Sequence, residues 1–172
     1  MFKTVLVATD GSDTANRALD AAIDQAVRQD ARLYIVHVRL HGRPVEELEH
    51  MAEIEHIVPE YEAQASSGTV PFGAALRNHM SDAGHEARIV GELGELILKR
   101  AKQRAVEAGV KKVDTLSEGG DYADSILDAI DETGADLVVL GRRGLGKVRQ
   151  FLIGSVSNKV AQHAGSAVLL IH

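Results

Sequence analysis

Two stretches of this chain carry residue types that can hold a phosphorylated ligand. The first is Gly141-Arg142-Arg143-Gly144, followed nine residues later by Gly154-Ser155. Glycines let backbone N–H groups approach an anion closely, and a serine at a helix start adds a hydroxyl donor beside the positive end of the helix dipole. The apolar run Leu137-Val138-Val139-Leu140 directly precedes Gly141, so the pattern reads as a strand delivering a phosphate-binding loop to a helix. A nucleotide is the natural guest. The same residues, Gly141 to Lys147, also read G-x-x-x-x-G-K. The Walker position that holds magnesium through a hydroxyl is Val148, however, and the helix signal starts only near Gly154, which disfavours a Walker loop. The structural alternative is a glycine-rich surface loop capping a strand.

The second stretch is Thr9-Asp10-Gly11-Ser12, at the end of the run Val5-Leu6-Val7-Ala8. A carboxylate there can bond a nucleotide or a magnesium ion, although short acids at such turns also cap the following helix. The eight histidines, His37, His41, His50, His56, His79, His85, His163 and His172, are scattered, with no H-x-x-x-H or H-E-x-x-H pair on an expected helix. No metal ligand is assigned from them. No G-x-S-x-G elbow is present and Gly154-Ser155 has no identifiable base, so no catalytic residue is assigned either.

Composition narrows the function. The chain has 172 residues, 45% of them hydrophobic, and a formal net charge of −6, which suits one domain with a full core. No Asp or Glu follows Asp136, whereas Arg142, Arg143, Lys147, Arg149 and Lys159 do. An acidic body thus presents one basic loop, which raises the local potential for a polyphosphate. Such cations also serve simply to solvate a loop. The patch is too short and too poor in aromatics for a nucleic-acid interface, with Phe151 its one aromatic neighbour. No run approaches the ~18 apolar residues of a membrane span, and the N-terminus lacks signal-peptide features. With no cysteine, disulfides and thiolate catalysis are excluded. A cytoplasmic protein is expected.

The elements that must position these residues alternate between strand and helix. Phe2 to Thr9 is an apolar, β-branched run suited to a buried parallel strand. Ser12 then offers an N-cap, and Ala15, Ala18, Leu19, Ala22, Ile23, Ala26 and Val27 form one face of a helix ending near Asp30. Leu33 to Val38 is a second strand. Leu93, Leu96, Ile97, Ala101, Ala105 and Ala108 recur at helical spacing before Gly109, and a third strand spans Val113 to Leu116. Asp121 with Asp124 resembles a capping box for a helix bearing Ile126, Leu127 and Ile130, closed by Gly134. The Leu137 strand, the loop, a helix from about Ser155 and a strand over Ala167 to Ile171 complete the series. The stretch from about 41 to 91 fits this alternation least. It suggests a short amphipathic helix with Leu48, Met51, Ile54 and Ile57, interrupted at Pro59, then a second piece over Phe72 to Met80 before Ala83-Gly84-His85. It reads as an insertion, either a lid or partner surface or a solvated loop.

Five strands with intervening helices imply an α/β fold: a single domain with an open, doubly wound, five-stranded parallel sheet. Such sheets bind ligands at the carboxyl ends of strands where the winding reverses, and Asp10 and Gly141 both follow strands at that edge. Periodicity alone leaves the strand order open.

The strand, Gly141-x2-Gly144-x9-Gly154-Ser155 and the opening Val5-Leu6-Val7-Ala8-Thr9-Asp10-Gly11-Ser12 together resemble the universal stress protein family, in its ATP-binding branch. The resemblance covers roughly residues 1 to 40 and 110 to 172. It implies one domain over 1–172 with a variable insertion at about 41–91, strand order 3-2-1-4-5, and the adenine-nucleotide alpha-hydrolase-like architecture. Carried over by position, Thr9, Asp10 and Val38 are the adenine-side contacts, Gly141 approaches the ribose, and Gly144, Gly154, Ser155 and Val156 surround the phosphates. Arg142 joins the nucleotide site but departs, with Arg143, from the smaller or polar residue often found there. The two guanidiniums either strengthen phosphate binding or select another phosphorylated ligand. The resemblance further implies ATP, with Mg2+, as ligand, and a homodimer paired through Ala167 to Ile171. The implied role is a nucleotide-dependent sensor or regulator in stress response, without efficient catalysis and with an unidentified regulatory partner. The alternatives are a nucleotide hydrolase or phosphotransferase using Lys147 and the arginines, and a dimeric interaction module that binds no nucleotide.

Overall fold

The structure, a computed structural model, describes residues 1–39, 83–142 and 153–172. The inner strands β1 (Thr4–Ala8) and β4 (Leu137–Gly141) are continuous apolar runs because helices cover both faces of the sheet. They pair in parallel, Val5 opposite Leu137 and Val7 opposite Val139. β2 (Arg32–Arg39) flanks β1, and β3 (Val113–Gly119) and β5 (Ala167–Ile171) form the edges, giving the order β3-β2-β1-β4-β5 with every pair parallel. The order implied by the resemblance is therefore observed. The chain winds outward from β1 to β3, then returns to the other side of β1, so the winding reverses between β1 and β4.

Helices α1 (Asp13–Gln29) and α2 (Ala83–Glu107) cover one face. There Leu19, Ile23, Leu98 and Ala101 close over Val5, Val7, Leu33, Ile35 and Val139. Helices α3 (Tyr122–Thr133) and α4 (Ser155–His163) cover the other, with Ile126, Ile130 and Val160 against Leu6, Val36, Val38 and Leu140. Alternate residues of each strand feed the two cores, which is the period-2 geometry of a pleated strand.

Local signals account for the helix ends. The Ser12 side chain accepts from the Ala15 N–H at 3.2 Å, and Asp30 closes α1 in the left-handed region at φ 52°. Asp121 Oδ1 accepts from the N–H groups of Ala123 and Asp124, both at 3.1 Å, and Gly134 closes α3 at φ 62°. Asp124 itself pairs with Lys159 of α4 at 2.7 Å.

Three expectations change. Val27, assigned to the buried face of α1, is 46% exposed. Helix α2 begins at Ala83 and includes Gly84 and Gly91, so Ala83-Gly84-His85, left outside the expected helices, and the last part of the 41–91 stretch are helical. Poor helix formers hid that first half, since glycine costs about 1 kcal/mol against alanine there. β3 also runs three residues past Leu116, because its ladder with β2 continues to Arg39 opposite Gly119. The amphipathic pieces expected before Pro59 and over Phe72 to Met80 lie outside the described residues.

Candidate functional site

The carboxyl end of β1 separates from both neighbours. Its ladder with β2 stops at Ala8 opposite Val36, while β2 itself runs on to Arg39 against β3. On the other side the register with β4 stops at Val7 opposite Val139, while β4 continues to Gly141 beside Ile171. Thr9, Asp10 and Gly11 therefore floor a cleft whose sides are the end of β2, at Val38, and the end of β4, at Gly141 and Arg142. This is the switch point of the sheet, where a ligand meets backbone groups the ladder no longer uses.

The floor is a tight turn. The Thr9 N–H still donates to the Val36 carbonyl at 2.9 Å, and Thr9 Oγ1 accepts from Gly11 N–H at 3.3 Å. Gly11 sits at φ 82°, which glycine adopts freely. Asp10 Oδ1 accepts from the Ser12 N–H at 3.0 Å, so the carboxylate shapes the turn that starts α1. Val38 is buried with its side chain in the core under α3, which leaves its backbone as the part that can meet a ligand.

The β4 side is equally constrained. A Cβ at Gly141 would lie 3.0 Å from the Thr14 carbonyl carbon and 3.1 Å from the Ala15 nitrogen, so the first turn of α1 packs directly on the strand end. Ser157 Oγ donates to the Gly141 carbonyl at 2.8 Å and ties α4 to the same point. Arg142, half-buried, donates its N–H to the Ile171 carbonyl at 2.7 Å and accepts from the Gly154 N–H at 2.8 Å. That last bond closes the loop from β4 to α4 at its root. Gly144, with Arg143, Lys147 and Arg149, lies outside the described residues.

Helix α4 opens onto the cleft without a side-chain cap. Gly154 is its N-cap and no acidic residue stands in its first turn, whereas Ser12 and Asp121 cap α1 and α3 with oxygen acceptors. Its first N–H groups are the kind that an anion satisfies. Ser155 is exposed, with its hydroxyl available at that end, and Val156 packs half-buried against the core. Among the described residues, no group of three or more His, Asp or Glu side chains stands together as a metal site. No described helix is long and apolar enough to cross a membrane.

One residue of the site escaped the motif reading. His37 is 1% exposed and its Nδ1 lies 2.8 Å from the Thr9 carbonyl oxygen. A carbonyl only accepts, so Nδ1 carries a proton and donates. Burial pushes the imidazole below its usual titration range, against the opposing pull of the Thr9 hydrogen bond and of Asp10 and Glu95. The signal was present in the sequence. His37 shares strand parity with Leu33 and Ile35 and so points into a core, beside Val38. Ser157 was missed similarly, as an ordinary polar residue two positions past Ser155.

The universal stress protein family model matches residues 1–172. The chain belongs to this family. Universal stress protein YxiE of Bacillus subtilis is 35% identical over 173 residues, covering 99% of each chain. Universal stress protein Rv1636 of Mycobacterium tuberculosis is 34% identical, covering 99% of this chain and 97% of its own. Among solved structures, a universal stress protein in complex with cAMP superposes with a TM-score of 0.62 at 26% identity, covering 99% of this chain and 97% of that one. The universal stress protein fold thus extends over residues from both ends of this chain, and one relative of similar architecture holds an adenine nucleotide.

Proposed function

We propose that this universal stress protein binds an adenine nucleotide, ATP with Mg2+, in the cleft between Val38 and Gly141, and acts as a nucleotide-dependent regulator in the cytoplasm without efficient catalysis. The observation that carries the reading is the uncapped start of α4 facing a floor from which both neighbouring ladders have withdrawn. The open backbone edge at Val38 suits the flat, hydrogen-bonding base. Gly141, packed against the first turn of α1, stands at the sugar position, and Gly154, Ser155 and Val156 offer N–H groups to phosphates beside Arg142; Gly144, outside the described residues, is assigned to the phosphates by the resemblance alone. Thr9 and Asp10 shape the base side, and the Asp10 carboxylate is the group nearest in type to a magnesium ligand. The cAMP bound by a relative supports an adenine ligand of this class.

The test is thermal unfolding of nucleotide-stripped protein with and without Mg-ATP. Ligand at 100 times its dissociation constant contributes about 2.7 kcal/mol, which raises the midpoint by roughly 5–10 °C for a chain of this size. A shift of that order with ATP and none with GTP is expected. No shift with any nucleotide would reject the reading.

The same proposal includes a homodimer paired through β5. That strand is a sheet edge whose Leu169 is 36% exposed, and an apolar edge with unused backbone groups favours pairing.

A further inference from the structure

His37 sits between two of the residues expected on the base side of the cleft: it bonds Thr9 across the sheet and precedes Val38 in the chain. Resting on the nucleotide reading above, we propose that His37 is the positioning residue of the cleft. Its Nδ1–H takes the Thr9 carbonyl out of the backbone ladder with β2 and so leaves the Val38 backbone edge open to a ligand.

Three observations carry this. The ladder between β1 and β2 ends at Ala8 and Val36, and the next carbonyl, that of Thr9, is taken by the ring. The ring lies close against Gly94 of α2, where a Cβ would stand 2.9 Å from its Cδ2. Its second nitrogen, Nε2, is buried and has no hydrogen-bond partner among the described residues. With Nδ1 donating, Nε2 of the neutral ring is a bare lone pair directed at the glycine. A proton there would bring a buried N–H without an acceptor and a charge without solvent, both costly.

The groups facing the ring are Asp10 from the β1–α1 turn, Glu95 from α2 and Arg39 from β2 itself. The two carboxylates favour a proton and the guanidinium opposes it, but burial outweighs them and holds the ring neutral below its ordinary range.

The test compares Mg-ATP affinity in the full chain and in His37→Leu, His37→Asn and His37→Gln. Asn places its amide N–H close to the position of Nδ1, whereas Gln places it near Nε2. Leu and Gln should each weaken binding about tenfold, the scale of one unsatisfied buried carbonyl, and Asn should restore it to within about threefold. Equal binding by the Asn and Gln variants would overturn the proposal while leaving the nucleotide reading intact. Failure of the wild type to bind any nucleotide would sink both.

Discussion

His37 and Gly94 are fitted to one another: a Cβ at residue 94 would stand 2.9 Å from Cδ2 and 3.1 Å from Nε2 of the ring. The imidazole cannot yield easily, because its Nδ1 is held on the Thr9 carbonyl at 2.8 Å. A glycine in the middle of a long helix thus has a packing reason. Gly94→Ala gains helix propensity of about 1 kcal/mol but overpacks a pinned ring at a cost of about 1–3 kcal/mol. The expected result is net destabilisation by urea unfolding. In a double-mutant cycle with His37→Ala the two changes should couple by about 1 kcal/mol or more, because the smaller side chain removes the clash. A stabilised Gly94→Ala protein would show that the ring has room to move.

Gly141→Ala should be the more severe of the two glycine changes at the cleft. Its Cβ meets backbone atoms of Thr14 and Ala15 at 3.0 and 3.1 Å, and neither β4 nor the first turn of α1 can retreat without disturbing the sheet. A loss of about 2–3 kcal/mol in chemical denaturation is expected, together with weaker nucleotide binding.

Two serines separate folding from binding. Ser12 caps α1 by accepting from the Ala15 N–H, so Ser12→Ala should cost about 1 kcal/mol of stability. Ser155 is exposed, and the structure gives α4 no side-chain cap, so Ser155→Ala should stay within about 0.5 kcal/mol of the parent. On the proposed reading it nonetheless weakens phosphate binding, which calorimetric titration with Mg-ATP would register. Unchanged affinity would remove Ser155 from the phosphate site.

Acid should weaken the fold through His37. Its folded-state pKa lies below the ordinary 6.5, so over the window beneath that value the unfolded chain takes up a proton that the native ring refuses. Stability therefore rises with pH through that window and levels off above it. Unfolding free energies measured across mildly acidic pH should show this slope in the wild type, and it should shrink in His37→Asn. The carboxylate of Asp121 acts further down. The Asp124 N–H and the Lys159 ammonium hold its pKa below the ordinary 3.8, so the stability it contributes is present above that value and lost only in stronger acid.

The proposed dimer has a direct check at β5. Leu169→Lys puts a charge on the exposed side of an edge strand, where a paired copy would bury it. Light scattering should then give the 18.5 kDa mass of one chain in place of twice that value. A single-chain mass for the unaltered protein would remove the dimer from the reading.

Much of the fold was legible locally. Ser12, Asp30, Asp121 and Gly134 end helices where their own backbone chemistry dictates, because capping depends on side-chain oxygens and left-handed φ within a few residues. The strand at Leu137 to Gly141 and the edge strand at Ala167 to Ile171 were equally plain, as short apolar runs bounded by turn residues. The first half of α2 was not, since Gly84, Gly91 and Gly94 lower its local preference and packing against β2 and β3 decides the outcome. His37 looked like one of eight scattered histidines, because nothing within a few residues announces a bond to a carbonyl twenty-eight positions earlier.

The amino-acid sequence by itself determined the order of strands and helices, the glycine and serine types at the two strand ends, and, through its motifs, the family. Those are properties of period, propensity and spacing, which act over a turn or two of chain. Tertiary structure decided that β1 and β4 are neighbours, that both ladders withdraw from the end of β1, and that a buried imidazole takes the carbonyl left over. Each of those depends on which distant segments lie side by side, and that is settled only when two apolar faces of one sheet are buried at once.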